Sequence, residues 1–175
     1  MSATIRIGSH EIGDQADCYV IAEIGHNHQG KLQTAREMFK AAKAAGAHAV
    51  KLQKRNNRGL YTKAAYDKPY DNENSYGATY GEHREFLEFE LKEYKDLQAY
   101  AAELGVDFFA TAFDFESADF LAGLNVPAYK IASGDVKSTP LLKHVASFGK
   151  PVTISTGGAR LDEVRRAYDA VMPIN

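Results

Sequence analysis

The sequence has no tryptophan and a single cysteine, Cys18. A lone cysteine closes no intrachain disulfide, so packing must hold the fold. The usage fits a reducing compartment, where such a residue is expected to be a small buried hydrophobe. Charge of one sign is also missing: 21 Lys and Arg face 23 Asp and Glu, for a net charge of −2. That removes the electrostatic basis for a nucleic-acid or membrane partner. No apolar run approaches the ~20 residues a membrane helix needs. Met1 to His10 carries polar residues throughout and no apolar core, so no signal peptide is visible in it. The default expectation is a cytoplasmic protein. What is present is ordinary globular composition, 45% hydrophobic and 25% charged over 175 residues. A chain of this size can bury roughly 70% of its unfolded surface in one domain.

The chain alternates between strand and helix signals. Thr4 to Ile7 followed by the turn residues Glu11 to Asp14 reads as a small hairpin. Tyr19 to Ile24 is β-branched and apolar apart from Glu23, and empties into the polar loop Gly25-His26-Asn27-His28-Gln29-Gly30. Lys31 to Ala45 is helical, with Leu32, Ala35, Phe39 and Ala42 on one face and Gly46 as the stop. A strand over Ala49 to Gln53 follows.

The stretch from Lys54 to Phe89 looks irregular, rich in Tyr and Asn. Its basic residues interleave with tyrosines, a pattern that fits single-stranded nucleic acid, but the acids among them cancel the charge. Tyr94, Leu97, Ala101 and Leu104 then mark a helix that Gly105 ends. Three more strands are expected at Asp107 to Phe113, Ala128 to Ser133 and Val152 to Thr156. Helices between and after them begin near Glu116, at Ser138-Thr139-Pro140 and past Gly158, the last with Leu161, Val164, Tyr168 and Val171 on one face. About five βα units in a row demand a parallel sheet with crossover helices.

Two architectures satisfy that order, a doubly wound open sheet and part of a barrel. Strand phase favours the barrel. If the apolar side chains face the helices, every strand leaves a polar side chain on its other face. These are Glu23, then Lys51 and Gln53, then Thr111, then Lys130, then Thr153 and Ser155. A sheet covered on both sides would read as continuous apolar runs. A barrel has one interior shared by all strands, and functional groups gather at their C-terminal ends.

The gathered set is one acid, two lysines, an amide and hydroxyls. Ser133-Gly134-Asp135 adds a hydroxyl, a flexible turn and a second acid. Two ammoniums with hydroxyls suit a multi-oxygen anion such as a carboxylate or phosphate. The structural alternative is that Glu23 is buried and neutralises one lysine in a barrel layer. His26 and His28 lack the further ligands that a metal site requires, which leaves His28 as a substrate contact or as the cap of the following helix.

These residues resemble the N-acetylneuraminate (sialic acid) synthase family. The likeness rests on Ala22-Glu23-Ile24-Gly25 with Asn27-His28-Gln29-Gly30, on Lys51-Leu52-Gln53, on Ala110-Thr111-Ala112-Phe113, and on Ala128 to Asp135. The segment Ala146 to Pro151 and the turn Ser155-Thr156-Gly157 extend it over nearly the whole chain. The resemblance implies the N-terminal part of a (β/α)8 TIM barrel. It implies condensation of phosphoenolpyruvate with an open-chain N-acetylmannosamine-type sugar, with a divalent metal, Mn or Mg. Lys51, Thr111, Lys130, Ser133 and Ser155 would hold phosphoenolpyruvate. Gln53, Asn74 and Asp135 would lie with Glu23 on the sugar side, and Glu23 would be the catalytic acid or base.

His26 and Asp135 depart from the family pattern, so synthases of legionaminic or pseudaminic acid stay open. A Schiff-base aldolase using Lys130 is an alternative outside the family, as is a binding module without turnover. Five units fall short of the eight that close a barrel. The chain is therefore expected to be the N-terminal portion of a longer enzyme that acts as a homodimer, with its metal ligands elsewhere and no turnover by residues 1–175 alone.

Overall fold

The computed structural model describes residues 4–175; the start of the Met1 to His10 segment lies outside them. The chain opens with the hairpin, β1 (Ile5–Ile7) paired antiparallel with β2 (His10–Ile12). The repeat then begins with β3 (Ile21–Gly25), α1 (Leu32–Ala44) and β4 (Ala49–Lys54). Three short helices follow, α2 (Asn57–Leu60), α3 (Lys63–Tyr66) and α4 (Tyr80–Leu87). Next come α5 (Leu91–Leu104), β5 (Asp107–Ala112), α6 (Phe115–Gly123) and β6 (Tyr129–Ile131). A 3-10 turn at Ser133–Asp135 leads to α7 (Thr139–Ala146), β7 (Val152–Ile154) and α8 (Leu161–Val171).

The five repeat strands form one parallel sheet in the order β3-β4-β5-β6-β7, each strand beside its sequence neighbour. Sequential order without reversal is how a barrel wall is laid down; a doubly wound sheet reverses at a switch point. Among the described residues the sheet is open, with β3 and β7 at its edges. The helix-facing side carries the core: Val50, Leu52, Phe108, Ala110, Tyr129 and Ile131 are buried against Phe39, Tyr94, Leu97, Leu121 and Leu142. The hairpin sits at the N-terminal ends of the strands. Tyr19 Oη donates to Asp107 Oδ2 at 2.7 Å and His10 Nδ1 lies 2.9 Å from the same oxygen. Gly8 has φ +56°, and a Cβ there would lie 2.0 Å from Asp107 Oδ1, so no side chain fits the turn.

Several expectations need correction. Cys18 is exposed, because it lies in the irregular segment before β3 and not in an element that packs. Val20 is exposed as well. It precedes β3, and its backbone is tied to His48, whose Nδ1 accepts from Val20 N at 2.9 Å.

The stretch from Lys54 to Phe89 is irregular only in part: three short helices interrupt it, and residues 67–79 between α3 and α4 remain turns and loop. Local caps hold its helices: Asn56 Oδ1 accepts from Gly59 N, Thr62 Oγ1 from Ala65 N, and Thr79 with Glu82 forms a full capping box. The segments are too short to show apolar periodicity, so only the caps mark them. Ser138 makes no side-chain cap, and Pro140 in the first turn of α7 is what remains of that helix-start signal.

In α8 the buried positions are Glu163, Ala167 and Ala170, while Leu161 and Tyr168 are 84% and 54% exposed. The helix packs on α7. Burial follows the neighbour: of the larger apolar stripe, Val171 packs against the core while Leu161 and Tyr168 stay exposed.

Candidate active site

The polar side chains assigned to the inner face do converge, at the C-terminal ends of the strands. Register sets this up: Glu23 is the partner of Lys51, Gln53 of Thr111, and Thr111 of Lys130. Lys51 is the hub. Its ammonium pairs with the Glu23 carboxylate and donates to Thr111 Oγ1 at 2.7 Å. Lys51 is 4% exposed. Burial pushes its pKa down, Glu23 partly restores it through a hydrogen bond and charge, and Arg55 lowers it again.

The Glu23 side chain is not buried: it is 51% exposed, because the inner face of the open sheet meets solvent beside it. Gly25, at φ +56°, follows it, and a Cβ there would touch both Glu23 Oε1 and Gln53 Nε2 at 3.4 Å. That glycine leaves room for the acid and the amide to approach one another.

Lys130 donates to the Ile131 carbonyl at 2.7 Å and forms no ion pair within 4.0 Å among the described residues. Burial lowers its pKa and the charge of Lys51 lowers it further, while Glu23 and Asp135 oppose. The two ammoniums therefore share one face, with Glu23 as the ion-pair partner of Lys51 and Asp135 acting on Lys130 through its charge. Asp135 is pushed the other way, its carboxyl raised by burial and by Asp114, against Arg55 and Lys130. Ser133 lies against the turn after β7: a Cβ on Gly157 would stand 3.8 Å from Ser133 Cβ. Ser155 leads into that turn, and its N–H donates to the Ile131 carbonyl at 3.2 Å. Asn74 is the outlier. It sits exposed in a turn closed by its own N–H donating to Asn72 Oδ1 at 2.9 Å.

The histidines have structural partners. His28 is buried, stacks on Phe89 with ring centres 4.0 Å apart, and accepts from Gly30 N at Nδ1. It stabilises its own turn and does not cap α1. His26 Nε2 lies 3.3 Å from Glu88 Oε1. No group of three or more His, Cys, Asp or Glu residues that could hold a metal ion occurs among the described residues.

Burial, helped by the charge of His26 and partly opposed by Glu88, holds the His28 imidazole down at about 4. The unfolded chain takes up this proton near 6.5. The folded pKa is depressed, so the contribution to stability is complete above the unfolded value and is lost as pH falls through the window towards the folded one. The expected loss is up to about 3 kcal/mol. Urea midpoints measured from pH 6.5 to 4 should show it. His28→Phe, which keeps the stack on Phe89, should flatten the slope; an unchanged slope refutes the assignment.

Inward phase also marks a residue that sequence reasoning passed over. Lys51 and Gln53 continue to Arg55 at the same spacing of two. Arg55 Nη2 donates to Gln53 Oε1 at 2.8 Å, and the guanidinium lies 3.7 Å from the ring centre of Phe113. Its partner Glu88 is buried and accepts from Arg55 N at 3.3 Å. The apolar alternation of the strand ends near Gln53, so the sequence pattern alone groups Arg55 with the following loop.

Two lysines, a carboxylate and hydroxyls stand at the C-terminal rim of a barrel wall, the place where barrels carry their functional groups. A model of the NeuB family matches residues 38–173, and the chain belongs to that family. It is 42% identical over 164 residues to the N-acetylneuraminate-9-phosphate synthase of Homo sapiens, covering 94% of this chain and 46% of that one. It is 41% identical over 162 residues to the N,N'-diacetyllegionaminic acid synthase of Legionella pneumophila, covering 92% and 46%. The crystal structure of the N-acetylneuraminic acid (sialic acid) synthetase from Leptospira borgpetersenii in complex with citrate superposes with a TM-score of 0.83 at 30% identity, over 99% of this chain and 56% of that one. The chain thus spans about half the length of the relatives it matches. Its fold is that of the first five βα units of a (β/α)8 barrel, preceded by a hairpin.

Proposed function

We propose that these residues form the phosphoenolpyruvate half of a sialic acid synthase-type active site. The full reaction joins phosphoenolpyruvate to an N-acetylmannosamine-type aldehyde and yields a nonulosonic acid and phosphate. The observation that carries this reading is the placement of Lys51 and Lys130 on one face, with Glu23 paired to Lys51, in a chain of the NeuB family. In it, Lys51, Lys130, Thr111, Ser133 and Ser155 bind the carboxylate and phosphate of phosphoenolpyruvate. Glu23 is the acid or base, and Gln53, Asn74 and Asp135 lie towards the sugar. When the enol carbon bonds to the aldehyde carbon, the aldehyde oxygen takes up a proton. Water then adds at the carbon bearing phosphate, and phosphate leaves. Glu23 stands beside Lys51, where such a proton transfer is needed.

The reading treats residues 1–175 as the N-terminal portion of a synthase barrel domain, which the half-length match to the relatives supports. A divalent metal and a dimer belong to the same reading, with the metal's ligands outside the residues described. No helix among the described residues is long and apolar enough to cross a membrane, in keeping with a cytoplasmic enzyme. The relatives named for legionaminic and pseudaminic acid leave the acceptor sugar to experiment.

The test is phosphate release from phosphoenolpyruvate with a panel of N-acetyl amino sugars, using the longest chain obtainable. Phosphate should appear only when both substrates are present. Release from phosphoenolpyruvate alone, or from no pairing, overturns the proposal. One observation favours a second reading: the lowered pKa of Lys130 suits a Schiff-base nucleophile. Borohydride trapping of a keto acid on Lys130 would establish it.

A further inference from the structure

The two ends of the Gln53 amide differ chemically, one accepting and one donating, and the structure fixes which of them faces the site. Arg55 carries only donors, so a hydrogen bond between the two side chains must use the amide oxygen. Arg55 Nη2 donates to Gln53 Oε1 at 2.8 Å. The amide is planar, so its Nε2 is turned the other way. It borders the space over Gly25, where a Cβ would lie 3.4 Å from Gln53 Nε2 and 3.4 Å from Glu23 Oε1. The amide donor and the Glu23 carboxylate therefore border the same part of the inner face.

Arg55 is built to hold that orientation. It is buried, and its guanidinium lies 3.7 Å from the ring centre of Phe113. The other arm of its fork, Nη1, lies 3.4 Å from His26 Nδ1 and 3.9 Å from Glu88 Oε1. Glu88 is itself buried and held by His26 at 3.3 Å and Lys54 at 3.5 Å. A planar fork gripped at one arm and covered on its face by an aromatic ring has little freedom to swing. The charge of Arg55 is met by Glu88 and by Asp135, whose carboxyl it helps to hold down. What Arg55 lends to the site is thus the geometry of its fork.

We infer that Arg55, anchored by Glu88, is a positioning residue that keeps Gln53 in the donor orientation, so that its NH2 group contacts an oxygen of the acceptor sugar. The inference rests on the synthase reading above and deepens it by giving the sugar-side amide one fixed polarity. A glutamine without such an anchor presents either end, and an acceptor oxygen meets the wrong one part of the time.

Two measurements on the 175-residue chain test it. The first uses no ligand. Nuclear Overhauser contacts between the Gln53 NH2 protons and the Gly25 α-protons should be present in the parent and weaken in Arg55→Met, which keeps the packing on Phe113 and removes the fork. Gln53→Met identifies the amide signals by their loss. The second is calorimetry with phosphoenolpyruvate, then with N-acetylmannosamine in its presence. Gln53→Met keeps the length of the side chain and removes the donor. It should weaken sugar binding about tenfold, one hydrogen bond's worth, and leave phosphoenolpyruvate affinity within about twofold. Arg55→Met should weaken sugar binding severalfold, and in the double variant the losses should not add, because both act on the same donor. Arg55→Lys keeps a charge beside Glu88 but cannot span Gln53 and His26, so it replaces Arg55→Met if that variant does not fold. Unchanged Overhauser contacts in the Arg55 variant, additive losses, or no sugar binding by the parent overturns the inference and leaves the synthase reading standing. Failure of the parent to bind phosphoenolpyruvate overturns the synthase reading, and the inference with it.

Discussion

Replacing Lys51 or Lys130 by methionine should weaken phosphoenolpyruvate binding by about 2–5 kcal/mol each, roughly 30-fold to several-thousand-fold in Kd. Methionine keeps most of the bulk of lysine and removes its charge. The two substitutions are not equivalent. Lys51 is buried, pairs with Glu23 and donates to Thr111. Its removal leaves Glu23 without its ion-pair partner, but Glu23 is half-exposed and water can take over its solvation. The fold should therefore tolerate Lys51→Met better than it would the loss of a partner from a fully buried pair. Lys130 donates only to a carbonyl, so its charge is the less compensated of the two. Lys130→Met should change binding with little change in stability. Equilibrium titration of each variant with phosphoenolpyruvate, beside a urea melt, separates the two effects. If both variants bind like the parent, the anion site is not between these lysines.

Phe109→Ala should cost about 3–5 kcal/mol of stability, a large share of the ~5–15 kcal/mol that holds a typical domain together. Phe109 is fully buried and is the register partner of Lys51 on the inner face of the sheet. Directly along the strand from it, Thr111 accepts from Lys51. Phe109 thus forms an apolar floor beneath the polar rim. Truncation leaves a cavity there that the close-packed sheet can fill only partly. The position of Lys51 should loosen with it, so phosphoenolpyruvate affinity falls in the fraction that remains folded. Phe86 is 49% exposed and serves as the control, expected to change stability by less than about 1 kcal/mol on truncation. Urea denaturation of both variants decides the matter. Equal, small losses would mean that the inner face has no packed floor.

The sheet itself was legible because its signals are local. Alternation along Ala49 to Lys54 and Asp107 to Ala112 separates apolar from polar faces, and helices starting after each strand dictate a parallel order. The same alternation places Glu23, Lys51, Gln53, Thr111, Lys130 and Ser155 on the inner face. It stops short of Arg55, two residues past Gln53, because the apolar pattern ends there and the residue reads as loop. The short helices α2 to α4 lack periodicity and are written only in their caps.

By itself the sequence determined the βα order, the strand phases, the choice of a barrel wall over a doubly wound sheet, and the identities of the rim groups. These follow from side-chain periodicity and turn chemistry, which act over a few residues. The tertiary structure alone decided that Glu23 pairs with Lys51 while Lys130 donates to a carbonyl, and that His28 serves its own turn. It alone set Arg55 between Gln53 and Glu88, and it left Leu161 and Tyr168 exposed on α8. Each of these depends on which residues from distant parts of the chain come within a few ångströms of each other. Desolvation and charge pairing act only once those distances exist.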